Sequence, residues 1–547
     1  MAALVLGLKL VYVFRYRIDT DEPQHLHVAW SWTQGLLPYR DLFDNHPPLF
    51  HLLLAPVVAA LGERPDIVPC MRLAMLPLYA LTLYATYEVG RAIFSRREGL
   101  AAAAVTALMP PFFLKSTEFR ADVLWAALWM IALAILVRGR FTRRRCFAFG
   151  ILLGVVMGTS LKTLLLVFAL VCASAFTLAM PATRCAAWRP KRLLLDVIVA
   201  ALGFVVVPLA LVLFFTFAGC LHPFLYCLVF HNLHADLGRW GTDAPWPLLF
   251  PALLGPIVMG AAFLARGAPT PGAAARRAFV FLTGAIYATA NESFWPLVTA
   301  QNYLPFEPLA GIFAAAALLG TARWAARSRA VDHRWSPRMA SLVVAGALLI
   351  EAAVLLIGTW PATDRTRPHI DYLQRVLRLT SPGDLVMDVK GESIFRRRPF
   401  YYALETVTRT LIRDGVIADD VPERLVATRT YVVADDQEGF PSRAREFIRN
   451  NYVELGRLRV AGTLLRPTRF GRRRLLPFSV EVPGRYAIVD PVGRVVASVD
   501  GGAFAGARFL ERGRHVLDAP SHAGPLAIIW AQAVERGFSP FRLEPPA

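Results

Sequence analysis

Cysteine is scarce in this chain of 547 residues: there are six, Cys70, Cys146, Cys172, Cys185, Cys220 and Cys227. None lies in the polar C-terminal third, so no disulfide framework holds that part together. No Cys-x-x-Cys pair is present, which argues against a zinc ribbon or a redox motif. Charge is scarce too. Charged residues make up 18% of the chain, against about a quarter in a soluble protein. No internal repeat or low-complexity tract stands out, and no Gly-x-Gly-x-x-Gly follows any strand-like segment. What is abundant is apolar: 56% of the residues are hydrophobic, and the mean hydropathy is +0.45. Apolar runs long enough to cross a bilayer recur through the first two thirds, which predicts a polytopic α-helical membrane protein.

The net charge of +19 would suggest nucleic acid in a soluble protein. Here much of the arginine excess falls in short loops between apolar runs, where positive charge sets orientation, so no nucleic-acid partner is expected. "RAIFSRRE" (91–98), "RGRFTRRR" (138–145), "RCAAWRPKR" (184–192), "RGAPTPGAAARR" (266–277) and "RWAARSRAVDHRWSPR" (323–338) are all placed in the cytoplasm by that rule. The spans then fall near 1–14, 70–94, 99–114, 122–137, 146–160, 163–181, 193–218, 246–265, 278–298, 304–321 and 339–359. Eleven crossings put the N-terminus inside and the C-terminus outside. The first run is read as a retained helix with a few residues missing from its start. "PPLFHLLLAPVVAALG" (47–62) is also helical but short, and counting it as a crossing would invert every later basic loop. It is expected to lie at the interface, within one external loop spanning 15–69. Residues 1–360 thus form the transmembrane domain. Period-2 strands alternating with helical patterns predict an extracytoplasmic α/β module over 361–472, and short strands with Gly turns predict a small β-sandwich over 473–547.

The chemistry gathers at the outer ends. "RIDTDEPQHLHVAW" (17–30) places Asp19, Asp21, Glu22, His25 and His27 just past the first span. Helix capping ahead of "EPQHLHVAWSWTQG" explains one carboxylate, not three. Carboxylates at a membrane surface are costly and tend to be functional, and one of them could deprotonate an acceptor hydroxyl or amine. Cations for a charged leaving group share that side: His46, Arg72, Lys115, Arg120 and Lys162, with Asp122 as a second carboxylate. Snorkelling to head groups would also account for Arg72, and a helix-end anchor for Lys162. His231 and His234, three residues apart, are weak candidates for a metal. Interfacial histidines binding acceptor or phosphate are favoured over a divalent metal there, and no cofactor is required.

These motifs resemble a known family. "TDEPQH", followed by "GLLPYRDLFDNHPPLFHLLL", is similar to the first outer loop of the protein O-mannosyltransferases, with an Asp-Glu pair and a His-Pro-Pro-Leu helix. The lipid A aminoarabinose transferases carry a similar loop with Lys in place of that His. "STEFRADVLW" resembles the second outer loop, and "QNYLPFEPLAG" the turn that opens a late span. The likeness covers roughly residues 1–321 and is to the GT-C membrane glycosyltransferases. It implies a polyprenyl-phosphate-linked sugar donor, a lipid, glycan or protein acceptor outside the cytoplasm, and inversion at the anomeric carbon. It implies Asp21 as general base with Glu22 and Asp122 as catalytic neighbours. His46, Arg120 and Lys162 are implied at the donor phosphate; Arg72, by its place at the head of the second span, is a further candidate there, and His25, Asn302 and Tyr303 are candidates for the acceptor or the interface. The β-trefoil modules of the eukaryotic mannosyltransferases are not matched. Basic cytoplasmic loops without disulfides suit a bacterial inner membrane with a periplasmic C-terminal domain. The competing expectations are a transporter or flippase for a lipid-linked substrate and a non-catalytic envelope assembly protein.

Overall fold

The structure is a computed structural model that describes residues 2–139, 142–183, 190–233, 246–328, 336–435, 438–465, 475–519 and 524–541. It divides into two compact units. The first comprises 1–25, 45–57 and 68–366, and the second 26–44, 58–67 and 367–547. The loop expected as one external piece therefore contributes to both.

The first unit is helical. α1 (Ala2–Arg15), the first turn of α2 (Asp21–Thr33) and most of α3 (Leu49–Leu61) precede α4 (Ile67–Arg72) and α5 (Met75–Ile93). α6 (Arg96–Leu108), α7 (Pro110–Lys115), α8 (Ala121–Arg138), α9 (Arg143–Thr159) and α10 (Thr163–Ala179) follow. Then come α11 (Pro190–Phe217), α12 (Leu221–Leu225), α13 (Trp246–Arg266), α14 (Pro271–Phe294), α15 (Glu307–Ser328) and α16 (Ser336–Gly358). A helix runs through each of the eleven expected spans. Among the described residues five are long and apolar enough to cross a membrane, 67–93, 121–138, 191–217, 307–325 and 339–358. The chain is a multi-pass membrane protein.

Small residues let these helices meet. A Cβ on Gly150 would stand 2.0 Å from the Ala200 carbonyl oxygen, and one on Gly203 would stand 2.2 Å from that of Phe147. Only glycine permits α9 and α11 to touch backbone to backbone, the packing favoured where lipid removes the hydrophobic drive between helices. Trp125, Trp129, Tyr287 and Ile312 lie in the core that joins α8, α14 and α15. By contrast Leu194, Val197, Leu202 and Phe217 of α11 are exposed, as a lipid-facing helix requires.

The second unit contains α17 (Arg367–Leu379), β1 (Val386–Met387), α18 (Thr406–Arg413), α19 (Val421–Ala427), β2 (Val432–Ala434), α20 (Ser442–Asn451), β3 (Tyr452–Leu455) and β4 (Leu458–Leu465). β5 (Leu475–Val480), β6 (Gly484–Val489), β7 (Ala497–Val499), β8 (Gly502–Phe504), β9 (Ala507–Leu510), β10 (Gly513–Asp518), β11 (Leu526–Trp530) and α21 (Ala531–Glu535) complete it. One sheet has the order β1-β2-β4-β11-β6-β9, with β3 also on β4, and a second has the order β5-β10-β7-β8. β1 and β2 are parallel, as the α/β reading requires. Two separate modules divided at 472/473 do not appear. β11 pairs with β4 on one side and β6 on the other, so strands from both halves share one sheet and one core.

The rest of α2 is held inside this unit. His27 donates from Nδ1 to the Ile394 carbonyl at 2.8 Å. Gly391 sits at φ +102°, and a Cβ there would fall 2.9 Å from that of His27. Ile394 is at φ +46°, a left-handed conformation that is costly for a β-branched residue. Asp388 holds the turn, accepting from the Gly391 and Ser393 N–H groups at 2.7 and 2.8 Å and pairing with Arg398 at 2.9 Å.

Candidate active site

The site begins where α1 ends. Asp19 and Glu22 close the turn into α2 on each other: Glu22 Oε1 accepts from the Asp19 N–H at 2.9 Å, and Asp19 Oδ1 from the Asp21 N–H at 3.3 Å. This is helix-start capping, and it accounts for part of the acid cluster. Asp21 opens the helix.

The second contribution is the turn between α7 and α8. Its backbone places Arg120 in an extended conformation immediately before α8, with Asp122 in the first helical turn. The Arg120 side chain is 3% exposed and surrounded by acids. Nη2 donates to Asp21 Oδ2 at 2.8 Å, Nη1 lies 3.1 Å from Asp19 and 3.3 Å from Glu118, and Nε is 3.5 Å from Asp122. Lys115 bonds Glu118 at 2.8 Å and lies 3.5 Å from Asp19. The third contribution comes from the α9–α10 junction, where Lys162 Nζ donates to Asp122 Oδ1 at 2.7 Å. Trp125 packs beneath it, 5.6 Å from the ammonium, and is pinned by its Nε1–H bond to Thr163 Oγ1 at 3.0 Å. Asp21, Arg120, Asp122 and Lys162 thus form one continuous chain of alternating charge. Its acid end is its most open part, Asp21 being 26% exposed.

Electrostatics follow from the packing. Burial raises the Asp19 carboxyl, but the Arg120 guanidinium, the Lys115 ammonium and the Asp21 N–H together more than offset it, and the group titrates below its ordinary range. Burial wins at Glu118 and pushes its carboxyl up against the pull of Arg120 and Lys115. Burial, then the neighbouring His46 and His51, pushes His25 well below the usual imidazole range.

Glu22 and Arg72 occupy a different place from Asp21 and Arg120. Both side chains are fully buried. Arg72 meets Glu22 through two bonds, Nε to Oε2 at 2.7 Å and Nη2 to Oε1 at 2.6 Å. Its other donors reach the carbonyls of Val13 (3.1 Å), Tyr16 (2.9 Å) and Arg17 (2.7 Å). All five N–H groups are satisfied inside the protein. This corrects the expectation of Arg72 at a phosphate: it clamps the end of α1 to α2. Glu22 also accepts from the Phe119 N–H at 2.8 Å, which fixes the turn carrying Arg120. Asn302 is likewise turned inward. Its amide bonds the Leu297 carbonyl at 3.1 Å and accepts from Thr299 at 3.1 Å, so it closes the turn before α15 instead of facing an acceptor. Tyr303 is half-buried against Phe306.

The His46 ring packs against that of His25 at a tilt of 57°, with ring centroids 4.6 Å apart. His231 is buried beside Tyr226, and His234 lies outside the described residues. Among the described residues no group of three His, Cys, Asp or Glu side chains is arranged to hold a metal ion. Sequence reasoning named Asp19 and Lys115 only in passing and missed Lys9, Glu118 and His51. Lys9 lies inside the first apolar run and is buried, donating to Ser116 Oγ at 2.8 Å. The signal for it was a lone lysine in a span, where a charge needs a partner.

Residues 45–221 match the family model of the dolichyl-phosphate-mannose-protein mannosyltransferases. That stretch holds His46, Arg72, Arg120, Asp122 and Lys162, and Asp21 precedes it. The fold resembles ArnT from Cupriavidus metallidurans in the apo state, with TM-score 0.54 and 15% identity over 84% of this chain and 97% of that one. The fold is that of the GT-C membrane glycosyltransferases. The same protein bound to undecaprenyl phosphate aligns with TM-score 0.50 and 17% identity over 80% of this chain and 93% of that one. Archaeal oligosaccharyltransferase AglB from Archaeoglobus fulgidus, in complex with an inhibitory peptide and a dolichol-phosphate, gives TM-score 0.47 at 13% identity over 95% of this chain and 76% of that one. No curated protein sequence matches the chain.

Proposed function

We propose that this GT-C protein transfers a sugar from a polyprenyl-phosphate-linked donor to an acceptor on the non-cytosolic side of the membrane, with inversion. The observation that carries the reading is the Asp21–Arg120–Asp122–Lys162 chain, in which an accessible carboxylate adjoins cations at outer helix ends. Asp21 is the general base. The acceptor oxygen attacks the anomeric carbon, its proton passes to Asp21, and the sugar–phosphate bond breaks on the opposite face. Polyprenyl phosphate leaves with the electron pair and gains negative charge, which Lys162, Arg120 and His46 are placed to favour. Cations fixed beforehand where water is sparse do this at little reorganisation cost. Glu22 and Arg72 hold the frame, and Asp122 orients Lys162.

Orientation follows the basic loops: N-terminus cytoplasmic, C-terminal unit outside, in a bacterial inner membrane. The leaving charge is met by side chains in this reading, so transfer should survive chelation of divalent metal. The similarity of residues 45–221 to the mannosyltransferases and the fold shared with ArnT bound to undecaprenyl phosphate support the donor class. The direct test is to incubate purified protein in nanodiscs with a panel of undecaprenyl-phosphate sugars and follow donor cleavage and transfer. Donor loss in the wild type but not in Asp21→Asn supports the reading. No cleavage of any donor would remove it.

A further inference from the structure

Behind the Asp21–Arg120 pair lies a cluster of three imidazoles. His25 is one helical turn past Asp21 on α2, His46 precedes α3, and His51 is on α3. The ring centroids of His25 stand 4.6 Å from His46 and 5.1 Å from His51, and those of His46 and His51 are 6.3 Å apart. Phe50 seals the group edge-on against His25, at 5.7 Å. His25 and His51 are 1% and 0% exposed. Their rings lie nearly parallel, and His25 Nδ1 and His51 Nε2 are joined by a hydrogen bond of 2.9 Å.

Such a bond needs one facing nitrogen with a proton and one without. It therefore links the tautomers of the two rings: whether His51 Nε2 carries its proton decides whether the far nitrogen of His25, Nε2, donates or accepts. His25 Nε2 has no hydrogen-bond partner among the described residues. The charged and titratable groups acting on His25 are Asp21, Arg120, His46 and His51. Apart from His51 these are the groups assigned above to base and leaving phosphate.

We propose that His51 is a positioning residue. Through His25 it ties the turn of α2 that carries Asp21 to the α3 segment headed by His46. It thereby sets the spacing between base and phosphate site, and it fixes which way the free nitrogen of His25 serves the substrate. The proposal rests on the glycosyltransferase reading. A misplacement of about 1 Å in such a frame can cost about a hundredfold in rate without weakening ground-state binding.

The test uses the full-length protein in nanodiscs with three variants. His51→Gln keeps an amide near the Nε2 position. His51→Asn keeps polarity but falls short of His25. His51→Phe keeps the ring volume without either nitrogen. Asn and Phe should lower kcat about a hundredfold with KM for the undecaprenyl-phosphate sugar nearly unchanged, and Gln should recover most of the loss. Imidazole nitrogen NMR should show the hydrogen-bonded His25 resonance in the wild type and its loss in the Phe variant. The acid limb of the rate–pH profile should move in the Asn and Phe variants, since His25 then titrates without its partner. If Phe fails to insert, the Gln and Asn pair carries the comparison. Wild-type kcat and pH profile in His51→Asn, or a loss that Gln does not relieve, would overturn the positioning role and leave the glycosyltransferase reading intact. A wild type that cleaves no donor removes that reading, and this role with it.

Discussion

Arg120 Nη2 donates to Asp21 Oδ2 at 2.8 Å, across 99 residues of sequence. The same guanidinium is shared with Asp19, Glu118 and Asp122. The arginine thus organises the carboxylates while Asp21 keeps the most exposed position among them. An amide at position 21 can still accept from Arg120, so the frame should survive its introduction. Asp21→Asn is expected to insert normally and to lose about 10²–10⁴-fold in kcat, the usual worth of a general base. Transfer assays beside a size-exclusion profile of the purified variant check it. An active Asn variant would take Asp21 out of the chemistry.

Lys162 should act on the donor. Its ammonium is held by Asp122 and half-sheltered over Trp125. Lys162→Met removes a cation without adding a bulky group, and should weaken binding of undecaprenyl phosphate by about 10–100-fold, the scale of a hydrogen bond to a charged group. Titration of the lipid into nanodisc-held protein reads this directly. Affinity equal to wild type would show that Lys162 only neutralises Asp122.

Glu22 and Arg72 predict a stability effect. Removing one member of a buried pair costs about 3–5 kcal/mol, because the other is left charged without a partner. Arg72→Met alone should therefore reduce the yield of folded protein sharply. The double variant Glu22→Gln with Arg72→Met should be less damaging than Arg72→Met alone, although the carbonyls of Val13, Tyr16 and Arg17 still lose their donor. Detergent thermal stability of the three proteins would decide it; equal losses would mean the carbonyl contacts dominate.

The contrast between Arg72 and Lys162 shows what could be read from residues alone. Both are single cations near span ends, and sequence pattern treats them alike. Three-dimensional hydrogen bonding separates them, because the carbonyls that satisfy Arg72 come from residues 13–17. The helices at the eleven expected positions were legible because apolar length and the basic loops between the runs are local signals. Asp21, Arg120 and Lys162 stood out as charges beside apolar runs, where their cost demands a reason. His51 did not, since a histidine inside "PPLFHLLLAP" carries no spacing that marks its partner 26 residues earlier. The single C-terminal core was hidden for a related reason. Its closure depends on β11, whose pairing with β4 and β6 is long-range and leaves no periodic trace.

Glu392 makes the C-terminal unit sensitive to pH. It follows β1 in the strained turn, and its Oε2 accepts from the Lys390 N–H at 2.8 Å. Burial, with the nearby Asp388 carboxylate adding to it, pushes the Glu392 carboxyl up from 4.5 to about 7. Between those values the folded protein keeps a proton that the unfolded chain has released. The unfolded state then binds fewer protons, so this group's contribution to stability declines as pH rises through the window and levels off above it. Glu392→Gln removes the titration and keeps an oxygen for the Lys390 N–H. Thermal unfolding of wild type and variant should agree best near pH 4.5 and diverge toward pH 7, with the variant increasingly the more stable. Parallel curves for the two proteins across that range would mean that Glu392 ionises freely in the folded state, and that the turn tolerates two carboxylates beside Arg398.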